Sequence, residues 1–122
     1  MSSDSPPRIG IVGLGGIGRY HAELLAEQEA ELVGGVDISG DARRGFSEEF
    51  NVSTYEQVGD LLGVVDALLV TTPNRFHEEY TVAALEAGCD VLLEKPLAHS
   101  VYSAQRIVAA THSAEGLCVV GF

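Results

Sequence analysis

Six residues near the start, Gly13-Leu14-Gly15-Gly16-Ile17-Gly18, restrict the folds open to this chain more than any other feature. They form a G-x-G-x-x-G pattern after a short apolar run, residues 9–13. The segment that follows places Ile17, Tyr20, Leu24 and Leu25 at helical spacing. In a strand–turn–helix unit, Gly13 permits the tight turn, Gly15 lets a pyrophosphate approach the backbone, and Gly18 lets helix and strand pack closely. Free N–H groups at the start of such a helix would face the phosphate charge. Taken alone the pattern is also that of an ordinary glycine turn; its flanks favour dinucleotide binding.

The rest of the chain repeats the same alternation. Strand patterns fall at residues 32–36, 52–54, 66–70, 90–93 and 117–121. Helical patterns lie between them at 41–50, 55–62, 74–87 and 100–113, with Asn74 as an N-cap and Gly88 as a stop. Strands joined by helical crossovers run parallel. Ala67-Leu68-Leu69-Val70 is apolar on both faces, as a sheet covered by helices on both sides requires. The expected fold class is α/β: a doubly wound, parallel, six-stranded Rossmann sheet over residues 8–122, preceded by a disordered arm, 1–7.

Three further groups carry chemistry. Asp37 closes the second strand, where a carboxylate accepts both ribose hydroxyls of an adenosine and repels a 2′-phosphate, favouring NAD over NADP. Arg43 and Arg44 could serve a 2′-phosphate, but are expected on the solvent face of the next helix. Thr71-Thr72-Pro73-Asn74-Arg75-Phe76-His77 follows the fourth strand, at the sheet edge where ligands of such folds bind. A simple strand–helix connection also explains Pro73 and Asn74, and His77 alone reads as a surface residue of the first turn. Glu94-Lys95-Pro96 ends the fifth strand, and Lys95 is the only lysine in the chain. Unlike arginine, a lysine shifts its pKa readily and can protonate a hydroxyl oxygen. A Glu–Lys surface pair is the plainer alternative.

Composition narrows the partners. The 122 residues carry 18 acidic and 7 basic side chains, a formal net charge of −11. That excludes a nucleic-acid binder held by a basic patch and argues against docking on anionic lipid. An acidic surface almost free of lysine suits concentrated salt, which screens its self-repulsion, so a halophilic cytoplasm is expected, with a merely acidic mesophilic protein as the plainer alternative. No apolar run approaches the length of a membrane span, and residues 1–8 lack the pattern of a signal peptide. Cys89 and Cys118 form no C-x-x-C, so reduced, buried thiols are expected and no metal site.

Taken together, Gly-Leu-Gly-Gly-Ile-Gly, Thr-Pro-Asn-x-x-His and Ala-Leu-Glu-Ala-Gly-x-x-Val-Leu-x-Glu-Lys-Pro-Leu-Ala resemble the N-terminal pattern of the Gfo/Idh/MocA-like oxidoreductases, the family of glucose–fructose oxidoreductase and inositol dehydrogenase. The resemblance spans residues 8–122. It implies NAD(P)-dependent hydride transfer at a carbinol carbon of a sugar, polyol or related small molecule. By position, it implies that Gly13, Leu14, Gly15, Gly16, Ile17 and Gly18 form the pyrophosphate loop and that Asp37 and Ile38 bound the adenosine. Thr71, Thr72, Pro73, Asn74 and His77 would lie along the cofactor, Glu94 near the nicotinamide ribose, and Lys95 at the substrate hydroxyl as the catalytic residue. Residues 120–122 match a strand that ends on the nicotinamide side. Family members carry a second α/β domain that supplies most substrate contacts and commonly the oligomer interface. Without it, these 122 residues are expected to bind cofactor without turnover and to leave an exposed edge on the last strand. A stand-alone NAD-binding or redox-sensing module is the alternative; it has no need of Lys95.

Overall fold

The computed structural model describes residues 6–73, 76–93, 101–113 and 118–120. Strands and helices alternate: β1 (Arg8–Val12), α1 (Gly16–Leu25), β2 (Glu31–Val36), α2 (Gly40–Phe50), β3 (Ser53–Tyr55), α3 (Gly59–Leu62), β4 (Ala67–Val70), α4 (His77–Glu86), β5 (Asp90–Leu93), α5 (Val101–Ser113) and β6 (Cys118–Val120). All pairings are parallel, in the order β3-β2-β1-β4-β5-β6. This is the doubly wound six-stranded Rossmann sheet expected from the sequence. The order reverses between β1 and β4, where Val12 lies between Val36 and Val70. Such a reversal opens a crevice beyond the carboxyl ends of the strands.

Alternation along the strands builds two cores, because successive side chains leave opposite faces. Ile11, Leu14, Ala22, Phe46 and Leu69 form one, under α1 and α2. Val12, Val36, Leu61, Leu68, Val70, Leu85, Val91 and Leu93 form the other, under α3, α4 and α5. On the α1 side, the cover stops short of the β5 end of the sheet. A shallow groove of about 200 Å³ remains there, lined by His21, Leu24, Leu25, Gln28, Leu69 and Leu92. Ile17, Tyr20 and Val119 are also more than half exposed.

Two boundaries differ from the sequence reading. Tyr55, expected to begin a helix, ends β3: it pairs opposite Val36, and its carbonyl accepts from the Asp37 N–H at 3.1 Å. Sheet pairing overrides the local pattern, and α3 shrinks to Gly59–Leu62. The helix expected from Asn74 begins instead at His77, with Phe76 as N-cap and no side-chain cap. The Phe76 N–H donates to Pro73 O at 3.0 Å, so a turn precedes the helix. Asn74 itself lies outside the described residues, as do Glu94, Lys95, Pro96, Gly121 and Phe122 and the first five residues of the expected arm.

A candidate dinucleotide-binding cleft

A cavity of about 430 Å³ opens where the sheet order reverses. Its lining comes from the ends of β1, β2 and β4 and from the start of α4: Gly13 and Gly15, Asp37 and Ile38, Thr71 to Pro73, then Phe76, Glu79 and Tyr80.

The glycine loop is shaped by close backbone contacts. Gly13 has φ +94°, a left-handed conformation that side chains rarely adopt. A Cβ on Gly18 would lie 2.0 Å from Gly13 O, so α1 can sit against the turn only with glycine there. Thr71 clamps the same turn from β4. Its Oγ1 lies 2.9 Å from Val12 O and 2.8 Å from Gly13 O, to which it can donate its one proton. Gly15, in contrast, faces open space: a Cβ there would meet nothing within 4 Å. Space above Gly15, on the cleft wall, is what a pyrophosphate lying on the backbone requires.

Helix termini add the charge preference. α2, α3 and α4 each carry an acidic residue in the first turn, and α2 also has Ser39 accepting from the Ala42 N–H. α1 has neither a side-chain cap nor an acidic first-turn residue. Its leading N–H groups are left for an anion, and the helix dipole favours one. Glycine cradle, open wall and uncapped helix together fit a dinucleotide.

Asp37 ties the two loops of the cleft together. Its Oδ2 accepts from the Leu14 N–H at 2.8 Å and its Oδ1 from the Ser39 N–H at 2.9 Å. A carboxylate offers about four lone-pair directions, so two backbone bonds leave room for ribose hydroxyls. Ile38, next in sequence, is 73% exposed and forms an apolar wall of the cleft. Leu14 enters the core rather than the cleft, and contributes its N–H. Gly16 and Ile17 are exposed at the α1 start.

His77 is buried, not a surface residue of the first turn. Its Nε2 lies 3.1 Å from Thr72 O, so it braces the β4–α4 loop from behind, and it is absent from the cavity lining. Val12 and Val36 at the strand ends, and Phe76, Glu79 and Tyr80 at the start of α4, are lining residues to which the sequence reading gave no binding role. Burial, and then the nearby carboxylates of Glu79 and Asp37, push the Tyr80 phenol above its usual pKa. The spacing of Phe76, Glu79 and Tyr80 (i, i+3, i+4) puts them on one face of the helix start, the one signal that could have found them.

The two cysteines are free thiols. Burial pushes both pKa values up, with Asp66 and Asp90 adding to the effect on Cys89. Among the described residues, no group of three His, Cys, Asp or Glu side chains could hold a metal ion, and no helix is long and apolar enough to cross a membrane.

Comparison with known proteins agrees with this geometry. Glucose-6-phosphate 3-dehydrogenase of Bacillus subtilis (strain 168) is 40% identical over 98 residues, covering 80% of this chain and 28% of its own. Inositol 2-dehydrogenase 3 of Saccharopolyspora erythraea is 40% identical over 121 residues, covering 94% and 36%. The chain thus spans about a third of the length of these curated relatives. Among solved structures, the WlbA dehydrogenase from Bordetella pertussis, in complex with NADH and UDP-GlcNAcA, superimposes with a TM-score of 0.92 at 28% identity. That match covers 98% of this chain and 36% of the WlbA chain. A family model described as the oxidoreductase family with an NAD-binding Rossmann fold matches residues 7–122. This chain belongs to the Gfo/Idh/MocA oxidoreductase family, as its NAD-binding Rossmann domain.

Proposed function

We propose that the chain serves as the cofactor domain of an enzyme that moves a hydride between nicotinamide and a CH–OH carbon of a sugar, polyol or related hydroxy compound. The observation that carries this reading is the cleft at the β1–β4 reversal, where an uncapped α1 and Asp37 face one cavity. The activities of these relatives, on inositol and on glucose 6-phosphate, support the substrate class.

In this reading, Gly13 to Gly18 hold the pyrophosphate on the backbone and the start of α1. Asp37 accepts the ribose hydroxyls and excludes a 2′-phosphate, so NAD is preferred to NADP. Ile38 bounds the adenosine, and Pro73 lies along the cofactor toward the nicotinamide. Thr71, Thr72, Asn74 and Glu94 line the way toward the nicotinamide, with His77 holding Thr72 in place. Bound NAD supplies the hydride acceptor. Lys95 binds the substrate hydroxyl and takes up or returns its proton. Substrate contacts and the oligomer interface belong to a further domain, in keeping with relatives about three times as long. The acidic surface suits a salt-rich cytoplasm.

Calorimetric titration of the 122-residue chain in molar salt tests the cofactor role. NAD should bind, NADP more weakly, and no polyol should be turned over. Tighter NADP binding overturns the reading of Asp37, and turnover by the isolated chain overturns the need for a further domain. In a longer protein carrying this domain, Lys95→Ala should lower turnover while leaving NAD affinity unchanged; an unaltered rate refutes its role.

A further inference from the structure

We propose that Glu79 is a second specificity-determining residue of the cleft, forming with Asp37 a two-carboxylate wall that rejects dinucleotides phosphorylated on the adenosine ribose. This rests on the reading of the cleft as an NAD site. The cavity lining holds two carboxylates, one from the end of β2 and one from the first turn of α4, and no lysine or arginine among the described residues. Both carboxylates line the same cavity as the Tyr80 phenol, whose pKa they push up.

The neighbouring side chains show that Glu79 is available for this. Glu78, one residue earlier, is bound to Arg106 of α5. Glu79 is exposed, lines the cavity, and has no hydrogen bond or ion pair among the described residues. Neither arginine of α2 lines the cavity. Arg44 is paired with Asp41 at 3.0 Å. The Arg43 guanidinium lies against Gly40, at the α2 start. A ribose phosphate would therefore bring nearly two negative charges toward Asp37 and Glu79, with no lysine or arginine among the described lining residues to offset them. The plainer role of Glu79, complementing the α4 dipole, concerns stability and predicts no change in cofactor preference.

The test measures NAD and NADP affinity of the 122-residue chain for wild type, Glu79→Gln and Glu78→Gln. Glu79→Gln should tighten NADP by about 3- to 10-fold and leave NAD within about twofold, the scale expected of one charge acting across a solvated cleft. The gain should shrink as salt rises, because screening already weakens the repulsion. Glu78→Gln should leave the NAD:NADP ratio unchanged. Equal effects on both cofactors, no effect, or the same shift from Glu78→Gln would each overturn the proposal. If wild type binds neither cofactor, the cleft reading fails, and this inference with it; if NAD binds and the ratio does not move, only the role of Glu79 fails.

Discussion

The Asp37 carboxylate accepts the Leu14 N–H at 2.8 Å, joining the end of β2 to the glycine loop that follows β1. The same side chain holds the Ser39 N–H at 2.9 Å. The residue expected to bind the ribose therefore also fixes the loop expected to bind the pyrophosphate. Asp37→Ala removes both bonds, each worth about 1.5–3 kcal/mol where a charged acceptor is lost. It should weaken NAD by at least about tenfold, and speed hydrogen exchange at the Leu14 and Ser39 amides even without cofactor. Unchanged exchange at those two amides would show that the loop is held by something else.

Two glycines of one motif should respond in opposite ways. Gly18→Ala drives a methyl group into Gly13 O and should cost about 3 kcal/mol or more, seen as a lower urea midpoint. Gly15→Ala points a methyl group into open space, so its midpoint should match wild type. That methyl stands where a pyrophosphate would rest, and NAD should weaken by about tenfold or more. A Gly15→Ala chain that binds NAD normally would mean the phosphate lies elsewhere.

His77 is a brace rather than a ligand in this geometry. His77→Ala empties a buried site and leaves Thr72 O without its ring partner, which should cost about 2–4 kcal/mol. His77→Gln, which can restore a donor to Thr72 O, should recover part of the loss. Denaturant titration of the pair measures this, and equal losses would remove the hydrogen bond from the account.

Alkaline pH should destabilise the chain. Cys89, Cys118 and Tyr80 all hold their protons more tightly in the fold than their ordinary values, 9.0 for the thiols and 10.0 for the phenol. The native state thus binds more protons than the unfolded one at high pH, and stability falls as pH rises. The contribution is complete below pH 9 and erodes above it, first through the thiols and then through Tyr80. Melting temperatures from pH 7 to 11 measure the decline. Cys89→Ala should flatten its first part and Tyr80→Phe its second; identical slopes in all three proteins would refute the assignment.

What was legible in the sequence was local. Gly13, Gly15 and Gly18 have fixed spacing because turn and helix start are contiguous, and Asp37 follows a strand that the apolar pattern marks plainly. Thr71 to Pro73 were found because ligands gather at strand ends. Phe76, Glu79 and Tyr80 were missed because packing of α4 on the sheet, rather than any neighbour in sequence, turns that face of its first turn to the cleft. Tyr55 was misplaced for a related reason: its partner is Val36, and parallel pairing has no short-range signature. The burial of His77 likewise depends on a turn at Pro73 that a helix-cap reading of Asn74 conceals.

The groove beside α1 has a consequence for how copies of this chain behave together. Leu69 and Leu92 line that groove, Val119 pairs beside Leu92, and Ile17, Tyr20 and Val119 are exposed, while the chain as a whole carries a charge of −11. At low ionic strength, repulsion between like-charged copies keeps those apolar surfaces apart. Salt shortens that repulsion to about 3 Å at 1 M and leaves the apolar attraction intact. Rising salt therefore makes these exposed apolar side chains more adhesive between copies even as it relieves the repulsion among like charges within each copy.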